Sequence, residues 1–266
     1  MKKILGFIGC GNMGAAMVGG IIASGIVTND NIIASTKTKK SAEALEQKFG
    51  IRTTIDNKKI ASEADIIFLA VKPFMYDAVI EEIRDVISAD TIVITIAAGI
   101  ELEKVKDTFK REVKLIKTMP NTPALVGEAM SAICPSNNIT EEELDYVISI
   151  FNSFGKTEIL DEKDFHGFIA LCGSSPAYVF MFIEAMADAA VKMGIQRKKA
   201  YKLAAQSVLG SAKMVLDTER HPAELKDMVC SPRGTTIEAV IELENGGMRS
   251  SIIKAMEKCE EKSKSM

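Results

Sequence analysis

The chain has 266 residues, 47% of them hydrophobic and 26% charged, with 33 Lys+Arg against 36 Asp+Glu. At about 150 residues per domain this is one large domain or two smaller ones with apolar material for a sizeable core, and the composition excludes a disordered chain, collagen and a disulfide scaffold. A net charge of −3 and 6% aromatic residues supply neither the basic face nor the stacking rings of a nucleic-acid binder.

In chain order, short β-branched runs alternate with longer amphipathic segments up to about residue 160. Strands are expected at Ile4 to Ile8, Ile32 to Ser35, Ile66 to Val71, Ile92 to Ala97, Lys114 to Thr118 and Met130 to Cys134. Helical patterns lie between several of them, at Met13 to Ser24, Ser41 to Phe49 and Tyr76 to Ile87. Continuous apolar strands separated by helices specify a parallel sheet covered on both faces, the α/β doubly wound class.

After about residue 163 the strand signal stops. Pro176 opens a helical run, Ala177 to Met193, at the first-turn position where proline is tolerated. Its charges, Glu184, Asp188 and Lys192, are spaced by four and form one narrow stripe; nearly the whole remaining circumference needs a cover. The short helical half of one chain cannot supply that cover, so a homodimer with interleaved helices is expected. Further helices follow at about Lys198 to Asp217, Thr236 to Glu244 and Ser250 to Glu260. The chain therefore divides into an α/β domain, 1–162, and an all-α domain, 163–266.

The five cysteines, Cys10, Cys134, Cys172, Cys230 and Cys259, are dispersed, odd in number and never in a CxxC pair. That pattern fits reduced, packed thiols better than disulfides or a zinc site. Two histidines, His166 and His221, are too few for metal chemistry built on several imidazoles, so no metal is expected. The apolar run after Lys3 is too short for a secretion signal, and no stretch of about 18 uninterrupted apolar residues predicts a membrane span. The expected compartment is the cytoplasm, with no membrane or nucleic-acid partner.

Chemistry enters at Gly9-Cys10-Gly11-Asn12-Met13-Gly14, a GxGxxG turn between the first strand and the first helix. Gly9 permits the tight turn, Gly11 lets a pyrophosphate approach the backbone, and Gly14 allows close helix–strand contact. The helix start supplies N–H groups and partial positive charge for phosphates. The second strand runs into Ser35-Thr36-Lys37-Thr38-Lys39-Lys40, with no acid between Asn31 and Ala42 to hold a ribose 2′-hydroxyl. Hydroxyls and ammonium groups suit a 2′-phosphate, which favours NADPH, with NADH tolerated.

Three further segments carry polar groups at strand or helix ends. Phe68 to Pro73 ends a strand at the carboxyl edge of the sheet, where Lys72 is positioned to flank a nicotinamide. Thr118-Met119-Pro120-Asn121-Thr122-Pro123 either presents Asn121 to a ligand or is a plain turn. Ser231-Pro232-Arg233-Gly234-Thr235-Thr236 precedes a helix with more hydroxyls than capping needs, which marks an anion site.

Together these segments resemble the pyrroline-5-carboxylate reductase family, through GCGNMG at the N-terminus, LAVKP at 69–73, MPNTP at 119–123, GSSPAY at 173–178, HPAELKD at 221–227, SPRGTT at 231–236 and ENGGMRS at 244–250. The resemblance covers essentially the full chain. It implies a Rossmann-type N-terminal domain, a helical dimerisation domain often built into decamers, and hydride transfer from NAD(P)H to the C=N carbon of 1-pyrroline-5-carboxylate, giving L-proline. It implies that backbone N–H groups around Gly234, Thr235 and Thr236 take the substrate carboxylate, that the Thr236 hydroxyl meets the ring nitrogen as the catalytic contact, and that Ser231 and Glu219 also line the substrate. On the cofactor side it implies contacts from Ile8 to Met13, Thr36, Asn57, Ala70 to Pro73 (Ala70, Val71, Lys72, Pro73) and Ala97-Ala98; Ser35, Lys37 and Asn121 join these on position.

The chain departs from the family pattern at Arg233, where a second glycine is usual, at His166 in place of aspartate, at Cys172 in place of serine, and at Met228. His221 and His166 are read as a helix-start residue and a packing or capping residue. A β-hydroxyacid dehydrogenase is the alternative enzyme; it would need an acid/base lysine, and Lys192, Lys198, Lys199 and Lys202 lie in no polar motif. A non-catalytic NADPH-binding regulator would have no need of the SPRGTT loop.

Overall fold

A computed structural model describes residues 3–265. Among them, eight strands join one sheet: β1 (Leu5–Ile8), β2 (Ile32–Ser35), β3 (Arg52–Thr54), β4 (Ile66–Leu69), β5 (Ile92–Thr95), β6 (Lys114–Met119), β7 (Ala129–Pro135) and β8 (Gly155–Ile159). The helices between them are α1 (Asn12–Ser24), α2 (Lys39–Phe49), α3 (Asn57–Glu63), α4 (Tyr76–Ile83), α5 (Leu102–Phe109) and α6 (Glu141–Asn152). The strand order is β3-β2-β1-β4-β5-β6-β7-β8, and each neighbouring pair is parallel except β6 with β7. The order reverses between β1 and β4, so the connections after these two strands leave a crevice at their carboxyl ends.

Side-chain alternation along each central strand explains the uninterrupted apolar runs. Leu5, Phe7, Ile66, Phe68, Ile92 and Ile94 enter the core that α1 and α6 cover, while Ile8, Ile67, Leu69 and Val93 enter the core under α3, α4 and α5. On the first face Phe7 and Phe68 stack at 4.4 Å between ring centroids, and Phe151 tilts onto Phe68. Such a pair contributes about 0.5–1.5 kcal/mol beyond the area it buries. Strands β3 and β8 lie at the two edges and are partly exposed, so their sequences, RTT and GKTEI, lack the continuous apolar signal. Helix α6 begins on a capping box in which Thr140 and Glu143 each accept the other's backbone N–H.

The chain forms two compact units, one running through Ser174 and taking in the chain from Glu260, the other Ser175–Cys259. The first unit thus reaches past residue 163 as far as Ser174. The reason is packing: α7 (Phe165–Phe168) and the π-helical turn Ile169–Gly173 place Phe165 and Phe168 against Met119 and Ala132 of the sheet.

The second unit is helical, with α8 (Ser175–Lys192), α9 (Arg197–Thr218), α10 (Pro222–Val229), α11 (Thr235–Asn245) and most of α12 (Met248–Lys264). Helices α8 and α9 pack along each other across a turn at Gly194 (φ 97°), where Arg197 pairs with Asp188 and lies over the Tyr201 ring. Of the 18 residues of α8, Ala187 alone is buried, and Phe180 and Met181 are 63% and 69% exposed. The predicted uncovered helix is therefore present. Contrary to the expectation of no membrane-length stretch, the continuous helical run Glu162–Lys192 is long and apolar enough to cross a membrane by length and composition. The sequence criterion missed it because Gly173, Ser174, Ser175 and Pro176 interrupt the apolar residues without adding charge.

Candidate active site

In the first unit the glycine turn sits where the strand order reverses. Gly9 has φ 82°, and a Cβ there would collide with Val71 Cγ1 and lie 3.1 Å from the Val71 Cα and amide nitrogen. Only glycine allows that approach of β1 to the segment after β4. The Ser35 carbonyl accepts from the amides of Gly9 (3.2 Å) and Cys10 (3.0 Å), which ties the turn to the end of β2. At Gly11, by contrast, an added Cβ would meet nothing nearer than the Gly9 carbonyl oxygen at 4.0 Å. The protein itself does not demand that glycine; the room fits the close approach of a pyrophosphate. Helix α1 starts there with no capping side chain and no acid in its first turn, so its leading N–H groups face an anion without competition. The residues present therefore fit a dinucleotide.

A polar network beneath the turn links residues far apart in sequence. Ser35, buried, donates its hydroxyl to Asn57 Oδ1 (2.6 Å), and Asn57 Nδ2 donates to Glu82 Oε2 (2.8 Å). Thr36 donates its hydroxyl to the Thr38 carbonyl at 2.9 Å, while Lys37, Lys39 and Lys40 are exposed. Sequence reasoning missed Tyr76. Its buried hydroxyl donates to the Leu69 carbonyl (2.7 Å) and accepts from the Ile96 amide (3.3 Å), joining the ends of β4 and β5 just before Ala70–Pro73 and Ala97-Ala98. The one available signal was a tyrosine opening a helix whose other inward residues are aliphatic.

The Asn121 amide is engaged by the protein itself. Its Nδ2 donates to the Cys172 carbonyl and its Oδ1 accepts from the Met130 amide, both at 3.0 Å, so the side chain braces the MPNTP loop. His166 is also structural: its Nδ1 lies 2.9 Å from the buried Ser263 hydroxyl near the end of α12. It borders a cavity of about 380 Å³ beyond Ala98, where Lys117 pairs with Glu162 at 2.8 Å.

In the second unit the SPRGTT segment forms a tight turn into α11. The Gly234 amide donates to the Ser231 carbonyl (3.0 Å), and a Cβ on Gly234 would collide with Ser231 Oγ. The Gly234 N–H is thus spent on closing the turn, which leaves the N–H groups of Thr235 and Thr236 as the free leading donors of α11. No side chain caps α11, and among the described residues the hydroxyls of Ser231, Thr235 and Thr236 have no hydrogen-bond partner. The simple-cap reading of these residues therefore fails. Arg233 occupies φ 61°, the left-handed region, which explains why a glycine there is usual; a side chain at such a position costs about 1–2 kcal/mol. Glu219 also sits at positive φ (54°), at the C-cap of α9. His221 caps α10, its Nδ1 accepting from the Ala223 amide at 3.1 Å, as its place before Pro222 predicts.

A glycine turn at the reversal of a doubly wound sheet, opening on an uncapped helix, marks a dinucleotide-dependent oxidoreductase with an appended helical domain. Residues 162–266 match the family described as pyrroline-5-carboxylate reductase dimerisation, and residues 4–99 match that described as NADP oxidoreductase coenzyme F420-dependent. The chain is 50% identical to the pyrroline-5-carboxylate reductase of Escherichia coli over 266 residues, covering 100% of this chain and 99% of that protein. It is 44% identical to the same enzyme of Methanosarcina acetivorans, over 98% of this chain and 97% of that one. Among solved structures, the NADP-bound pyrroline carboxylate reductase of Plasmodium falciparum superposes with a TM-score of 0.90 at 33% identity, covering 100% of this chain and 98% of that chain. The chain belongs to the pyrroline-5-carboxylate reductase family.

The cysteine inside the glycine turn is a test of how tightly that turn packs. Burial pushes the Cys10 thiol from 9.0 up to about 12. The folded chain keeps its proton where the unfolded chain releases it, so this stabilisation is present below about pH 9 and is lost as the pH rises toward 12. Cys10 is expected to resist iodoacetamide at mildly alkaline pH in the folded protein and to react in urea, read by peptide mass mapping. Equal alkylation rates in the two states would contradict the burial.

Proposed function

We propose that the chain reduces the C=N bond of 1-pyrroline-5-carboxylate to give L-proline. The observation that carries this reading is full-length identity of 50% to a pyrroline-5-carboxylate reductase, with the SPRGTT loop intact as an uncapped helix start. When bound, a nicotinamide dinucleotide supplies the hydride. The chain's own residues hold and orient. The turn Ile8 to Gly14 (Ile8, Gly9, Cys10, Gly11, Asn12, Met13, Gly14) holds the pyrophosphate, and Ser35, Thr36, Lys37 and Asn57 surround the adenosine end. Ala70, Val71, Lys72, Pro73, Ala97 and Ala98 flank the nicotinamide end. The N–H groups of Thr235 and Thr236 take the substrate carboxylate, with Ser231 and Glu219 beside it.

Negative charge must not build on the ring nitrogen as hydride reaches the adjacent carbon. The imine's own basicity supplies a proton near neutral pH, so the Thr236 hydroxyl holds the nitrogen in place without acting as a strong acid. Two histidines, both used in structure, then suffice. Addition of racemic pyrroline-5-carboxylate is expected to drive NADPH oxidation, and Thr236→Ala to lower kcat/KM by about 10- to 100-fold, the scale of one transition-state contact. Turnover of hydroxyacids instead would support the β-hydroxyacid dehydrogenase alternative, and cofactor binding without any turnover the regulator.

NADPH is the preferred cofactor in this reading, with NADH accepted, because the exposed lysines after β2 have no neighbouring acid before Ala42. The ratio of kcat/KM for the two cofactors tests this, and a higher value for NADH would overturn it.

The exposed apolar side chains of α8 are covered by a second copy of the chain, giving a homodimer in the cytoplasm that can assemble further to a decamer. Light scattering at micromolar concentration is expected to give the mass of a dimer or of a multiple of it. A monomeric mass, or a protein that stays in solution only with detergent, would overturn this arrangement.

A further inference from the structure

We propose that Arg233 determines affinity for the carboxylate of the substrate, adding a full positive charge to a loop whose other groups are neutral donors. This rests on the reading of the SPRGTT turn as the carboxylate subsite. The helical unit holds four arginines, and three are paired: Arg197 with Asp188, Arg220 with Glu224 and Arg249 with Glu244. Among the described residues Arg233 alone of the four has no hydrogen bond, ion pair or ring contact, and it is exposed.

It is also the sole charged residue between Val229 and Thr236. Its backbone sits at φ 61°, a conformation that glycine adopts freely and a side chain does not. A strained position filled by an unpaired cation, in a turn with three unspent hydroxyls and an uncapped helix start, is suited to an anion. The substrate brings one such group, its carboxylate, and a guanidinium binds a carboxylate through two parallel N–H donors. The carboxylate keeps its charge while hydride is transferred elsewhere on the ring. The contact is therefore the same in the ground and transition states, and its loss raises KM without lowering kcat.

Three variants separate charge from backbone: Arg233→Gly removes both the charge and the strain, Arg233→Gln removes the charge alone, and Arg233→Lys keeps the charge. KM for pyrroline-5-carboxylate is expected to rise about two- to fivefold in the Gly and Gln variants, the worth of one exposed charge pair, with kcat unchanged and the Lys variant between. The dissociation constant of L-proline, measured by calorimetry without turnover, is expected to rise by the same factor. Added sodium chloride should depress kcat/KM more steeply in the parent than in Arg233→Gln. A Tm for Arg233→Gly no lower than the parent's keeps unfolding out of the comparison. Equal L-proline affinity in the parent and Arg233→Gln overturns the role of Arg233 whatever the turnover. Failure of the parent itself to reduce pyrroline-5-carboxylate overturns the reaction instead.

Discussion

The approach of Gly9 to Val71 is the constraint on which the dinucleotide end of the molecule depends. Strands β1 and β4 are adjacent in the sheet although a long stretch of chain separates them, and the segments that leave their carboxyl ends nearly touch. Any side chain at Gly9 would push these segments apart and break the pair of amide bonds to the Ser35 carbonyl. The turn would then no longer aim the start of α1 at the crevice. The other two glycines of the motif differ in kind. Gly14 is closely packed, with Cys10 Sγ and the Ala70 Cβ 3.2 and 3.4 Å from where its Cβ would stand, whereas Gly11 has open space. One motif therefore combines a position fixed by the protein's own packing, a closely packed one and one with room to spare.

Around that turn, polar groups are spent on holding the backbone, and the groups left unspent are those a ligand would use. Ser35, Asn57 and Glu82 form a chain of hydrogen bonds, and Tyr76 clamps two strand ends with one hydroxyl. Asn121, His166 and His221 are likewise committed to structural partners. In the SPRGTT turn the accounting is reversed, with Ser231, Thr235 and Thr236 unpartnered among the described residues. Polar side chains without partners are exposed there at little cost because water satisfies them until a ligand displaces it.

The central strands were legible because burial on both faces leaves little room for any but apolar residues, so β1, β2, β4 and β5 could be read almost to their ends. Edge strands β3 and β8 escaped because one side of each faces solvent and admits Arg52, Lys156 and Glu158. The glycine turn and the hydroxyl loop were legible because their chemistry is local, carried by residues within a few positions of one another. Tyr76 and the bracing role of Asn121 were not, since each acts on main-chain atoms brought near only by folding. The packing of Phe165 and Phe168 on the sheet was hidden for the same reason, since their partners Met119 and Ala132 come from distant parts of the chain. The family resemblance supplied Glu219 and Asn57 as candidates, which neither periodicity nor spacing would have singled out.

The two non-glycine residues at positive φ in the helical unit, Glu219 and Arg233, are both charged, and both are proposed to lie beside the substrate. Glycine would relieve each of them, so stability alone does not account for either. Strain of this kind persists where the surrounding structure holds it and function gains from it. Here the surroundings are clear: Glu219 closes α9 by donating its amide to the Val215 carbonyl, and Arg233 is held between Pro232 and the Gly234–Ser231 hydrogen bond. Reduction of a C=N bond by the proposed route, with electrons from a cofactor and the proton on the imine, asks for placement more than for acid strength. A fold can meet that demand with backbone N–H groups, hydroxyls and a few fixed charges, and the strained turn is where this chain adds a charge to neutral donors.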